Sequence, residues 1–447
     1  MFTLEYNFDG LIGPTHHYGG LAYGNLPSMT HRFTLSHPKK AALEGLEKMR
    51  LLNRLGVKQA FLPPQERPFL EGLRQLGYQG SDRQILEKVY EDNPELLLTY
   101  SSASAMWAAN AATFSSSADT ADHRIHITTA NLLSKAHRAI ESKQTSHILK
   151  RIFSERRHFI HHPALPNDGF LFDEGAANHM RVAPAHGERG IEIFVYGMSS
   201  QANNPKPKNY PARQSLEAST TIALTHQLSD DYVMFVQQNP EVIDLGAFHN
   251  DLVAVSNENV LLYHERAFLN GQKIIEQLQS QFEQMFRCPL YVIKITEEQL
   301  SVSEALETFF FNSQIVSLPD GKMALIAPVE CYQEKTRELI DQIIENDNPI
   351  DQAHFISLKE SMENGGGPGC LRIRVILTEE EAAIIHQGFV LNEIRLCLLE
   401  DWIKNCYRDE LRMEDLKDYQ FYLSNQKALD ELTQILNLGS IYSFQKE

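Results

Sequence analysis

The run Asn364-Gly365-Gly366-Gly367-Pro368-Gly369-Cys370 leads directly into Leu371-Arg372-Ile373-Arg374-Val375-Ile376, in which apolar residues alternate with arginines. Four glycines and a proline in six residues demand backbone conformations closed to residues that carry a Cβ. The stretch must therefore be a tight loop that feeds a strand and ends in a thiol. A phosphate-binding loop would need Lys-Ser/Thr and a following helix, and both are missing. The loop by itself leaves two readings open: presentation of Cys370 as a nucleophile, or a structural cysteine buried after a turn.

A chain of 447 residues, 43% hydrophobic and 22% charged, can bury a large core and has no fibrous or disordered bias. No Pro/Ser-rich linker or block of like charge divides it, so residues 1–447 read as one unit. Lys+Arg number 41 against 58 Asp+Glu, a net charge of -17, which argues against nucleic acid as a partner. Any anion must then be met by specific basic clamps. Met1 to Asp9 has neither a basic region nor an apolar core, and no later run approaches the roughly 18 apolar residues of a membrane span. The expected location is the cytoplasm, without membrane contact. The five cysteines (Cys288, Cys331, Cys370, Cys397, Cys406) form no C-x-x-C pair and suggest neither a disulfide framework nor a zinc site.

Along the chain, Asp9 to Asn25 reads as a long loop rich in glycine and aromatics, the kind of stretch that is usually functional. Its paired histidines, His16 and His17, should point to opposite sides and lack a carboxylate at ligand spacing, so a metal is not expected. A helix is predicted from Pro38 to Leu55, with Ala42, Leu46, Met49 and Leu52/Leu55 on one stripe and Gly56 as its stop. Ser101 to Ser117 reads as a closely packed small-residue helix that carries Asn110. Ile125 to Thr129 is a strand, followed by His137-Arg138, where Arg138 is either a surface charge or an anion clamp.

Phe170-Leu171-Phe172 reads as a short buried strand ending in Asp173-Glu174, two carboxylates suited to the wall of a site for a cation. Arg213, just before a helical segment from Ser215, is a second candidate clamp. Ile243 to Tyr263 reads as a hairpin turning at Ser256 to Asn259, with His249 and Asp251 on one face at the strand entrance. Thr378 to Glu381 is a capping box that opens a helix, and Leu429, Leu432, Ile435 and Leu436 form a stripe that ends before Gly439. Candidate chemistry recurs at strand ends roughly 70 to 120 residues apart, as expected for similar units around one centre.

The run Asn364 to Arg372, with Phe248-His249-Asn250-Asp251, Asp173-Glu174-Gly175-Ala176-Ala177-Asn178-His179 and Gly10 to Tyr18, resembles the N-succinylarginine dihydrolases of the guanidine-modifying pentein superfamily. The resemblance extends from Asn7 to Phe444. It implies an α/β fold, a five-fold pseudosymmetric propeller of strand-helix modules, with Cys370 as nucleophile and His249 and Glu174 as its catalytic partners. It further implies substrate contacts from Gly19, Gly20, Leu21, Ala22, Tyr23, Gly24, Asn25, Leu26, Pro27 and Ser28. Asn110, His137, Arg138, Arg213, Asp251 and Asn364 complete that set. No cofactor or metal is implied, and a homodimer is. Two residues depart from the pattern: Gly369, where alanine is expected, and Met180, where a polar residue is.

The expected reaction is hydrolysis of N-succinylarginine to N-succinylornithine, two ammonia and carbon dioxide in arginine catabolism. A deiminase or amidinotransferase of the same fold is the alternative. The residue chemistry agrees with guanidine hydrolysis. A delocalised guanidinium carbon needs a strong nucleophile, carboxylates to hold its N–H fork and a proton donor for the departing amine. Cys370, Glu174 with Asp251, and His249 supply those groups, and the two carboxylates of the substrate give Arg138 and Arg213 a task.

Overall fold

The computed structural model describes residues 3–201 and 204–446, so the reading of the chain's start at Met1 and Phe2 lies outside it. Its strands form five three-stranded sheets. The middle strands, Ile125–Thr129, Ile191–Tyr196, Val260–His264, Met323–Pro328 and Thr3–Gly10, are almost continuously buried, as expected of strands covered on both faces.

One wiring recurs in every sheet. A short strand precedes the middle strand and pairs with it antiparallel, and a later strand pairs with it parallel. A parallel partner requires a crossover, and a helix supplies it each time: Ser142–Ile152, Leu216–Thr225, Gly271–Phe286, Glu334–Glu345 and Pro38–Arg54. The chain's two ends meet in the fifth sheet. There Arg372–Thr378 lies antiparallel to Thr3–Gly10, with Asp9 opposite Arg372, and Lys58–Leu62 runs parallel on the other side.

Before its first strand each unit makes a tight turn: Ala108–Asn110, Gly175–Asn178, Asn250–Leu252, Phe310–Asn312, and the loop ending at Cys370. Each turn touches the next, and Arg372–Thr378 touches the first. The turns form a ring, and the candidate residues Asn110, Glu174, His249, Asp251 and Cys370 lie on or beside four of them.

The helix Pro38–Arg54 buries Ala42, Leu46, Met49 and Leu52, and the capping box at Thr378 is formed. The last long helix, Tyr419–Ile435, buries Leu429 and Leu432 but leaves Ile435 exposed. Four expectations need correction. The first strand continues to Gly10, so the loop before Asn25 starts later. Ser101 to Ser117 is no helix but two 3-10 turns and the strand Ala112–Ser115. Its small residues serve backbone approach: a Cβ on Gly175 would lie 3.1 Å from the Ala112 carbonyl oxygen.

Phe170 to Phe172 forms no strand, because the Asp168 side chain accepts the N–H groups of Phe170 (2.9 Å) and Leu171 (3.0 Å) and curls the chain into an exposed turn. Ile243 to Val253 holds the end of the helix Pro240–Asp244 and a 3-10 turn, and the hairpin begins only at Ala254. His249 and Asp251 therefore sit on a turn and not on one strand face. Among the described residues no helix is long and apolar enough to cross a membrane.

Candidate active site

Close backbone contacts shape the loop that ends in Cys370. Gly365 has φ +107°, and a Cβ there would come 2.2 Å from Asn25 Nδ2, the group that donates to the Gly365 carbonyl at 2.8 Å. At Gly369 the N–H donates to the Asn312 carbonyl at 2.7 Å, and a Cβ would lie 2.8 Å from that oxygen. Glycine in place of the expected alanine suits that approach. The Cys370 N–H donates to Asn312 Oδ1 (3.1 Å), and its carbonyl accepts from Ala109 N–H (3.1 Å).

The buried Cys370 lines a cleft of about 580 Å³. Asn312 Nδ2 lies 3.2 Å from Sγ, and Asp251 Oδ2 lies 3.5 Å away. Burial, and after it the Asp251 charge, pushes the thiol well above its ordinary range. An anion already stands beside a group that must become one.

His249 lines the same cleft, and its Nε2 is 2.9 Å from Glu174 Oε2. Glu174 is fixed on all sides. Ser134 Oγ donates to Oε1, the Glu174 N–H donates to Gln214 Oε1 (2.7 Å), and its carbonyl accepts from Asn110 Nδ2 (2.6 Å). Burial works against its charge. The His249 contact outweighs it together with Arg213 and Arg138, and the carboxyl is drawn down to about 2. Asp173, by contrast, is raised by burial to about 6 and braces Gly175 and Gln214. None of Asp173, Glu174 and Asp251 lines the cleft itself: Glu174 stands behind His249, and Asp251 behind the thiol.

Positive charge gathers near Glu174. Arg138 bonds Asn110 Oδ1 and Glu141 (both 3.3 Å) but leaves its buried Nη2 without a partner. Arg213 stacks over Phe248 at 4.4 Å, donates from Nη2 to the Tyr23 carbonyl (3.3 Å) and leaves Nε unpartnered. Burial lowers Arg213 to about 10 and nearby Lys135 to about 8, and holds His137 well below its ordinary value. Clustered cations with unused buried N–H groups call for an anionic ligand, because an unpaired buried donor costs about 1–3 kcal/mol.

Of the loop 19–28, Gly19, Gly20, Leu21, Ala22, Asn25 and Ser28 line the cleft, as do Asn110, His137, Arg138, Arg213 and Asn364. Tyr23, Gly24, Leu26 and Pro27 stand behind that wall. Tyr23 packs on Tyr210 (5.3 Å), and Leu26 and Pro27 open the short helix that Asn25 caps. His16, which burial lowers to about 3, accepts from Asn364 Nδ2 at 3.1 Å, and His17 Nδ1 meets the Thr15 carbonyl (2.8 Å). Sequence reasoning missed Trp107, Lys135 and Phe248 in the wall, and Asn312 beside the thiol. A signal existed for Asn312: Asn110, Asn178, Asn250 and Asn312 recur on the hub turns about 60 to 70 residues apart, and Cys370 takes the fifth place.

A larger cavity of about 940 Å³ takes in Gly369, Asp251, Asn312, Arg181, Arg372 and Arg374. It contains no thiol, and two of its arginines are spent in pairs, Arg181 with Asp119 (2.6 Å) and Arg374 with Glu5 (3.1 Å). The thiol and His249 line the smaller cleft.

Known proteins carry the same assembly of segments. The family model for succinylarginine dihydrolase matches residues 2–445. The N-succinylarginine dihydrolase of Shewanella loihica is 48% identical over 444 residues, 99% of each chain. That of Aliivibrio fischeri is 47% identical over 448 residues, the whole of both. Among solved structures, the N-terminal domain of ArgZ, an arginine dihydrolase of the cyanobacterial ornithine-ammonia cycle, shares the fold: TM-score 0.50 at 15% identity, over 83% of this chain and 97% of that one. Similarity that runs from one end to the other, through every segment that meets at the cleft, leaves one conclusion: the chain belongs to the succinylarginine dihydrolase family.

Proposed function

We propose that this chain hydrolyses N-succinylarginine to N-succinylornithine, two ammonia and carbon dioxide in arginine catabolism, with Cys370 as nucleophile. The observation that carries the reading is the charge gathered around the cleft: a thiol flanked by Asp251 and the His249–Glu174 pair and, near them, Arg138 and Arg213 with unused N–H groups. A guanidinium fits the first group and the substrate's carboxylates fit the second.

Sγ attacks the guanidinium carbon, a C–S bond forms, the thiol proton passes to the departing nitrogen with His249 as donor, and the C–N bond breaks to release ammonia. Water then adds to the same carbon, His249 takes its proton, and the C–S bond breaks to leave a ureido group. A second round on that carbon releases the second ammonia and a carbamate, which loses carbon dioxide. Between rounds the reacting end is neutral, so retention of the intermediate rests on the arginine region.

The five identically wired sheets and the ring of turns support a five-bladed propeller around one centre, a single catalytic unit. A cytoplasmic homodimer without metal or cofactor completes the reading. The deciding experiment is product analysis by mass spectrometry. Two ammonia per succinylornithine is expected, whereas one ammonia with accumulating N-succinylcitrulline would make the enzyme a deiminase.

A further inference from the structure

Resting on Cys370 as nucleophile, the geometry points to a further catalytic residue, which we infer to be Asn312: its carboxamide fixes Cys370 by the backbone with its oxygen and stabilises the thiolate with its nitrogen. The orientation of the amide follows from its partners. The Cys370 N–H can only donate, so the atom 3.1 Å from it must be the oxygen. The nitrogen then faces Sγ at 3.2 Å and the Asp251 carbonyl at 3.3 Å, and both accept. The Asn312 carbonyl also takes the Gly369 N–H at 2.7 Å, so one residue grips the loop twice and touches the reacting atom once.

The thiol needs such a donor. Asp251 lies 3.5 Å from Sγ and opposes a second negative charge. Arg213, Lys48 and Arg372 are the cations in the surroundings, but Lys48 is paired with Asp9, and Arg372 stands with Asp9 and Asp251 among its neighbours. His249 does not donate to Sγ in this arrangement, since its Nε2 is engaged by Glu174 at 2.9 Å. Two donors reach Sγ: the backbone N–H of Gly367 in the loop itself and, among the described side chains, Asn312 at 3.2 Å. A bond from N–H to sulfur strengthens when the sulfur is ionised, so its benefit falls on the step that generates the nucleophile.

The test is the pH profile of Cys370 alkylation by iodoacetamide in the intact enzyme, with a non-reactive guanidinium compound present, alongside kcat/KM. In Asn312→Ala the alkylation midpoint should move up by roughly one pH unit and kcat/KM should fall about 10- to 100-fold, the worth of a hydrogen bond to a charged group. Asn312→Asp keeps the acceptor for the Cys370 N–H but turns an oxygen toward Sγ. It should be less active than Asn312→Ala. A role confined to holding the loop predicts the reverse order and an unmoved alkylation midpoint, and either result overturns the inference. If Asn312→Ala does not fold, turnover of Asn312→Asp within about threefold of wild type overturns it. Failure of the nucleophile assignment would show separately, as turnover in Cys370→Ser.

Discussion

Asn178 and Asn312 occupy equivalent turns of two units and make the same bond. Asn178 Oδ1 accepts from the N–H of Asn250 at 3.0 Å, and Asn312 Oδ1 accepts from the N–H of Cys370 at 3.1 Å. Their amide nitrogens differ. Nδ2 of Asn178 has no partner, whereas Nδ2 of Asn312 meets a sulfur at 3.2 Å. The closure that carries the chain from one unit to the next is thus structural at one junction and part of the proposed chemistry at the other. The difference arises because a cysteine stands where the other unit has an asparagine, and because that junction faces a cleft with a basic wall.

The strongest way to break this comparison is Cys370→Ser, which keeps size and loop but replaces the nucleophile by a far weaker one. Steady-state assays should find activity below about one-thousandth of wild type, with the thermal midpoint nearly unchanged. Comparable turnover would make the fifth junction as structural as the second.

Arg213→Ala tests whether the basic wall distinguishes the cleft. Loss of a buried charge partner costs on the order of 2–5 kcal/mol, so kcat/KM for N-succinylarginine should fall by at least about 30-fold, while free arginine, which lacks the succinyl carboxylate, should lose less. N-succinylcitrulline should escape into solution. An unchanged ratio between the two substrates would move the clamp elsewhere.

Glu174→Gln sharpens the comparison within the second unit, since it leaves the Asn178 bond intact. The folded-state value of Glu174, about 2, lies below its ordinary 4.5, so its stabilising effect is full above that pH and is lost as pH falls toward 2. Linkage puts the effect at about 3 kcal/mol. Denaturant titrations should show wild type losing stability over that window more steeply than Glu174→Gln, and parallel curves would refute the paired carboxylate.

The smallest effect is expected at Asn178→Ala, which leaves the buried Asn250 N–H without its acceptor and should cost about 1–3 kcal/mol of stability. The alkylation profile of Cys370 should not move. A shift there would mean that the two junctions are coupled, and the contrast with Asn312 would lose its force.

Much of the site was legible in the chain itself. The glycine run announced Cys370, and the segments around His249 and Glu174 carried enough specific residues to be recognised. Local elements with strong periodicity or caps, such as Pro38–Arg54 and the box at Thr378, also formed as read. Those that failed were decided elsewhere. Ser101 to Ser117 has helical propensity, but its small residues are used to bring backbones together at the hub, and Phe170 to Phe172 yields to the Asp168 turn.

By itself, then, the sequence determined which side chains are candidates for the chemistry and suggested similar units around one centre. Both follow from residue type and local pattern. Only the tertiary structure decided which atoms meet: that His249 faces Glu174, that Asp251 faces the thiol from a turn, and that Asn312, 58 positions before Cys370, grips it. Those pairings depend on how the turns of separate units close into a ring through backbone contacts, and such contacts leave no mark in residue spacing beyond glycine and asparagine where two chains come close.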